Sequence, residues 1–205
     1  MTVLVGMPTT GVATGCIPIQ VSACLISLAK ACPAIDVVFD ENSLVYDSRN
    51  TMIEQAILGG YDYLMFIDSD IIFPADGVLQ LLADKRDIVT GVYYERKGEH
   101  RPVIFKNVTL RDGDIPPHAD FVEKVEPIME IDACGMGFCL IKVDAIKPVI
   151  QEYKSPFEPY SGLGEDLSFC YKCKQKGLKI WADSRFDLKH LGVTAFGKED
   201  GFIRF

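Results

Sequence analysis

Short apolar-rich runs alternate along the chain with longer segments whose apolar residues return every three or four positions. This is the pattern of buried strands joined by amphipathic helices. Residues 2–6, 36–39, 64–67, 87–93, 101–106 and 178–182 read as strands. Ile17, Val21, Cys24, Leu25, Leu28 and Cys32 trace one helical face, and Pro33 ends that helix. Met52, Ile53, Ala56 and Ile57 mark a second helix, with Asp47 or Ser48 as its expected cap and Gly59-Gly60 as its stop. Residues 75–83 predict a short helix, and 143–153 a longer one that Pro148 should kink or split. Leu167, Cys170 and Lys174 share the face of a last helix, stopped by Gly177. Residues 133–141 read as an apolar strand broken by Gly135 and Gly137, which predicts a bulge or a close backbone approach by a ligand. Residues 111–120, with Pro116-Pro117, are the least patterned stretch and a candidate mobile loop. Strands alternating with helices predict an α/β domain. A length of 205 residues fits a single domain covering 1–205.

One apolar run ends on chemistry. The strand at 64–67 stops at Asp68 and Asp70, and Pro74 closes the stretch. In extended backbone, residues i and i+2 point the same way, so both carboxylates can converge on one point. Two hard oxygen ligands at the carboxyl end of a buried strand suit a divalent cation of the Mg/Mn type. Open α/β sheets also place their ligands at that end of the strands. Glu165 and Asp166 stand at a helix start, where acidic residues offset the dipole. Together with Asp68 and Asp70 they read as a second set of titratable groups aimed at one site. The helix start is expected to favour the ionised form of Asp166. Arg49 falls in the first turn of its helix, where the dipole opposes a cation. It reads either as an anion-holding residue or as a surface arginine paired with Asp47 or Glu54. His190 sits in an expected loop, and an imidazole is a reasonable third ligand beside carboxylates.

Ile67-Asp-Ser-Asp-Ile-Ile-Phe-Pro74 resembles the Asp-x-Asp segment of GT-A-fold glycosyltransferases, especially those of the large family 2 type. The resemblance extends upstream to Asp47-Ser-Arg-Asn50 and downstream to Gly164-Glu-Asp-Leu-Ser-Phe-Cys170 and His190. It implies a single Rossmann-like domain with a mixed, mainly parallel sheet flanked by helices. The implied activity is metal-dependent transfer of a sugar from a nucleotide-sugar donor, expected to be a UDP-sugar, to an acceptor hydroxyl with inversion. Mn2+ or Mg2+ would then bridge the donor's phosphates, with Asp70 and His190 as direct ligands and Asp68 acting through water or on the ribose. The resemblance further implies that Pro8, Thr9 and Thr10 contact the nucleotide, that Arg49 or Asn50 faces the donor, and that Gly135 and Gly137 line the sugar pocket. Asp166 is the expected general base and Glu165 the group that orients the acceptor.

Composition narrows the alternatives. A formal net charge of −8 disfavours a broad phosphate-binding surface of the duplex-binding kind. Gly6, Gly11 and Gly15 match neither a P-loop nor a dinucleotide fingerprint. The start Met-Thr-Val-Leu-Val-Gly carries no secretory pattern, and no apolar run is long enough to span a bilayer. Seven cysteines without an export signal point to free thiols and a cytoplasmic location. Cys16, Cys24 and Cys32 recur near one helical face as core residues, and Cys170-x-x-Cys173 lies within a helical pattern, so its spacing is a weak zinc signal. Two other functions remain open on the sequence: a nucleotidyltransferase of similar fold, and a non-catalytic nucleotide-sugar-binding domain. The acceptor is unread: a small molecule, a glycan, a protein or a modified nucleobase all fit.

Overall fold

A computed structural model of the chain describes residues 1–9, 17–41, 44–96, 98–192, 194–197 and 201–204, without side chains beyond 192. The first half runs β1 (Val3–Pro8), α1 (Ile19–Ala31), β2 (Ile35–Asp40), α2 (Val45–Leu58), β3 (Tyr63–Ile67), β4 (Ile71–Ile72), α3 (Gly77–Ala83) and β5 (Ile88–Gly91). The second half begins with β6 (Ile104–Thr109), β7 (His118–Phe121), β8 (Ile128–Ile131), β9 (Ala133–Cys134) and β10 (Phe138–Lys142). It continues through α4 (Val143–Tyr153), α5 (Glu165–Gln175), β11 (Ile180–Asp183), β12 (Lys189–His190), β13 (Thr194–Gly197) and β14 (Gly201–Arg204).

The central sheet has seven strands in the order β2-β1-β3-β10-β5-β11-β8. β2, β1, β3, β5 and β11 run one way, while β10 and β8 run against their neighbours. The expected mixed, mainly parallel sheet is therefore present. Its middle strands read as near-continuous apolar runs because helices cover both faces. Leu64, Met65, Phe66 and Ile67 of β3 are all fully buried. Leu64 and Phe66 join Met52, Ile53 and Ala56 of α2 in one core, and Met65 and Ile67 join Val21 and Leu28 of α1 in the other. This alternation between two cores is the period of two along the strand.

Several expectations change in detail. Leu44 precedes α2, so neither Asp47 nor Ser48 caps it. The Ser48 hydroxyl instead donates to Asp40 Oδ1 at the end of β2, at 2.9 Å. α4 runs unbroken through Pro148, an exposed position. The carbonyl deprived of its partner there belongs to exposed Asp144, where water can bond it. The single strand expected at 133–141 is two: β9 pairs with β6 in a three-stranded sheet, and β10 lies in the central one. The stretch 111–120 is a hairpin tip rather than a free loop, with Asp112 bridged to Ile115 and His118 beginning β7. His190 lies on β12, paired antiparallel with β4, rather than in a loop. Among the described residues no helix is long and apolar enough to cross a membrane.

Candidate active site

β1, β3 and α5 deliver their ends to one edge of the sheet. There Pro8, Val45, Arg49, Asp68, Ser69, Asp70, Glu165 and Asp166 line a cleft of about 310 Å³. Val45, Glu165 and Asp166 come from the first turns of α2 and α5, and Arg49 from the turn of α2 that follows, one turn later than expected. The strand-end carboxylates and the helix-start carboxylates thus line one cleft.

Their meeting point is Arg49. The residue is 2% exposed, which removes it from the surface pairing with Asp47 or Glu54. Its Nη2 lies 3.3 Å from Asp68 Oδ1 and 3.5 Å from Asp166 Oδ1. Nη1 donates to the Met136 carbonyl at 3.4 Å. The guanidinium also packs over Phe66 and Phe157, 5.5 and 5.8 Å from the ring centroids. Burial acts to lower the pKa of Arg49, but the Asp166 and Asp68 charges outweigh it and hold the cation firmly protonated.

Asp166 accepts one hydrogen bond on Oδ2 from the Met136 N–H, at 3.2 Å. Its buried Oδ1 has no hydrogen-bond partner among the described residues. Burial pushes this carboxyl up to about 6, against the pull of Arg49, and Glu165 and Asp68 add repulsion. Here the sequence expectation is overturned: desolvation outweighs the helix dipole, and the group sits near neutrality instead of far below it. Asp68 is likewise raised by burial despite Arg49.

Asp68 and Asp70 do not extend the strand. The chain turns after Ile67, with Ile71 N–H donating to Asp68 O at 3.1 Å. The two carboxylates therefore share the cleft but face different partners. Asp70 Oδ2 takes Arg96 Nη1 at 2.8 Å and lies 3.5 Å from His190 Nε2. Burial would raise Asp70, but His190 and Arg96 more than offset it and hold the carboxyl below its ordinary value. The β4–β12 pairing sets this geometry, completed by Leu191 N–H donating to Asp70 O at 2.8 Å.

These residues suit a divalent cation in part. His190 Nδ1 lies 3.0 Å from the Tyr94 carbonyl, which can only accept, so Nδ1 carries the hydrogen. Nε2, the atom next to Asp70, is then the one that would offer its lone pair to a cation, in the orientation typical of a metal-bound histidine. Two ligands each about 2.1 Å from one cation stand roughly 3 Å apart, so Asp70 and His190 need little adjustment. Among the described residues, however, no three His, Cys, Asp or Glu side chains converge as a complete ligand set. A Mg-type ion commonly takes one or two protein carboxylates and fills its shell with substrate phosphates and water.

Other expected site residues have structural employment. Thr9 donates from its N–H and its hydroxyl to Asp40 O, at 2.9 and 3.0 Å, tying β1 to β2. Asn50 Oδ1 accepts from Phe157 N–H at 3.1 Å and so anchors the loop before α5. Thr10 and Cys16 lie outside the described residues. Gly135 and Gly137 are crowded by Tyr93 rather than left open: a Cβ on Gly135 would run into the Tyr93 hydroxyl, and one on Gly137 would sit 2.9 Å from its ring. Tyr93 accepts from Gly137 N–H at 3.2 Å. No local pattern marks Tyr93 and Arg96, because their partners are far away along the chain. Phe157 stacks on Phe169 at 4.3 Å and positions the face under Arg49. The described cysteines are free, and Cys170 and Cys173 are buried core residues.

No protein-family model matches the chain, and no curated protein does. Solved structures do share its fold. A197 from STIV aligns with a TM-score of 0.63 at 20% identity, covering 100% of this chain and 94% of that one. UDP-glucose pyrophosphorylase complexed with UDP-glucose gives a TM-score of 0.53 at 9% identity, over 92% of each chain. Mannose-1-phosphate geranyltransferase from Thermus thermophilus gives 0.50 at 11%, over 92% of this chain and 76% of that one. At such identities the likeness establishes a common Rossmann-like architecture.

Proposed function

We propose that the protein is a metal-dependent glycosyltransferase that moves a sugar from a nucleotide-sugar, a UDP-sugar in the first instance, to an acceptor hydroxyl with inversion. The observation that carries this reading is Asp166: a carboxylate that lines the cleft with its side chain 21% exposed, is ion-paired to Arg49 on one oxygen, and is pushed up to about 6 by burial. A hydroxyl acceptor needs a base poised close to working pH. A sugar-phosphate oxygen, the nucleophile of nucleotidyl transfer, is already an anion and needs none. The segment after β1 also has no Lys or Arg before Lys30, so it lacks the cations that would hold a triphosphate.

In this reading the acceptor O–H gives its proton to the Asp166 carboxylate while its oxygen bonds the anomeric carbon. The carbon–oxygen bond to the donor's phosphate breaks on the opposite face, and the nucleoside diphosphate leaves. Arg49 keeps Asp166 in place and its charge compensated, and Glu165 orients the acceptor. Asp70 and His190, with Asp68 through water or on the ribose, would hold Mn2+ or Mg2+, which when bound neutralises charge on the departing diphosphate.

Nucleotidyl transfer remains the second reading, because UDP-glucose pyrophosphorylase shares the fold. Thermal shift with a panel of nucleotide-sugars and Mn2+ tests donor binding, since a ligand of the native state raises its melting temperature. One nucleotide-sugar should raise it with Mn2+ present and much less without. No shift with any member would contradict the proposal.

A further inference from the structure

Arg96 shares one oxygen atom with the site at which a cation would bind. Its Nη1 lies 2.8 Å from Asp70 Oδ2 and donates to the Leu191 carbonyl at 3.3 Å. His190 Nε2 faces the same Oδ2. A cation seated between Asp70 and His190 would carry its charge against the guanidinium, so the two cannot both hold that oxygen. Arg96 is well placed to yield. It stands in the connection between β5 and β6, its side chain is 42% exposed, and its other bond here goes to a single carbonyl. Arg49, by contrast, is packed between two rings and two carboxylates and is fixed.

The charges agree. Asp68, Asp70, Glu165 and Asp166 carry four formal negative charges at the cleft, against two from Arg49 and Arg96. One divalent cation cancels the difference. An arriving diphosphate then brings new negative charge, which a released guanidinium beside the site can match in a bidentate way.

We propose that Arg96 is an exchangeable counter-ion: it holds Asp70 in the free protein, gives that oxygen to the divalent cation, and closes on the donor's diphosphate. This rests on the metal-dependent reading above. Cation and donor then bind cooperatively, because each removes a cost of binding the other. The protein by itself holds metal weakly, and the diphosphate completes both the ligand shell and the new partner for Arg96.

The test reads binding rather than turnover. Free Mn2+ is followed by electron paramagnetic resonance in titrations of the wild type, Arg96→Gln and Asp70→Ala, and UDP binding with Mn2+ is followed by calorimetry. For Mn2+ alone, Arg96→Gln should bind about 2- to 5-fold more tightly than wild type, the scale of a partly exposed ion pair. The same variant should bind UDP in Mn2+ at least about 5-fold more weakly, so that the two ligands lose most of their coupling. If Arg96→Gln leaves Mn2+ affinity unchanged while Asp70→Ala abolishes it, the exchange is wrong and the metal reading stands. If Mn2+ tightens but UDP affinity does not fall, the closure on the diphosphate is wrong. If neither wild type nor Arg96→Gln binds Mn2+, the metal reading fails and the exchange with it.

Discussion

Replacing Arg49 tests how the cleft's charges are tuned. Arg49 Nη2 stands 3.5 Å from Asp166 Oδ1. With an effective dielectric of about 20, two unit charges at that distance attract by about 5 kcal/mol. The Asp166 side chain is 21% exposed, so solvent and relaxation take up part of this. The remainder corresponds to about 1–2 pKa units at 1.36 kcal/mol each. Arg49→Met keeps the apolar stem against Phe66 and Phe157 but removes the charge. The acid limb of the kcat/KM profile, set near 6 by Asp166 in the wild type, should move to about 7–8. Arg49→Lys, which keeps a cation, should leave the limb near its original place. Arg49→Met should also lose about 3–5 kcal/mol of stability, because Asp68 and Asp166 lose their buried partner. The assay is a pH series of initial rates on folded protein, with melting temperature measured on the same samples. A folded Arg49→Met whose acid limb has not moved would refute the idea that Arg49 compensates Asp166.

Asp166→Asn keeps the size and the Met136 contact but cannot take a proton, so kcat should fall about 10²–10⁴-fold with donor affinity nearly unchanged; near-normal turnover would remove Asp166 from the chemistry. The same substitution should flatten part of the stability profile. The carboxyl's value is about 6 folded against 3.8 unfolded, so folding takes up protons between these values and stability falls as pH rises through that window. Denaturant midpoints at pH 4 and 7 check this: the drop should be smaller in Asp166→Asn, and an equal drop would contradict it. His190→Ala should weaken Mn2+-dependent UDP binding about 10- to 100-fold, partly restored by excess Mn2+; unchanged affinity at every Mn2+ level would place His190 outside the ligand set. Gly135→Ala should cost about 1–3 kcal/mol through the clash with the Tyr93 hydroxyl, and Tyr93→Phe in the same chain, which removes that oxygen, should recover part of the lost melting temperature; a neutral melting temperature in Gly135→Ala would show that Tyr93 moves freely.

The parts of the site written in short-range pattern were legible in the sequence. β3 is an apolar run that ends at two aspartates, and α5 opens on Glu165 and Asp166, so local pattern marks both groups of carboxylates. The facts that govern their chemistry are long-range. Arg49 reads as a first-turn cation of doubtful position until Asp68 and Asp166 close on it. Arg96 sits in a stretch that looks like an ordinary charged turn, and its partner, Asp70, is 26 positions away (96 − 70). Gly135 and Gly137 signal close approach correctly, but the approaching group is the Tyr93 side chain. The helix dipole was a fair guide to where Asp166 sits and a poor guide to its charge, because burial depends on the whole fold. β12 leaves no mark in the pattern, because a two-residue strand has no period.

Phosphorus NMR of the reaction products tests the central claim most directly. The protein is incubated with the nucleotide-sugar that raises its melting temperature, Mn2+ and an acceptor panel, in parallel with a sample that also contains pyrophosphate. Glycosyl transfer, or slow transfer to water, releases the nucleoside diphosphate in both samples, and Asp166→Asn should nearly abolish that signal. Formation of a nucleoside triphosphate and a sugar 1-phosphate only when pyrophosphate is present would contradict the account and assign the cleft to nucleotidyl transfer.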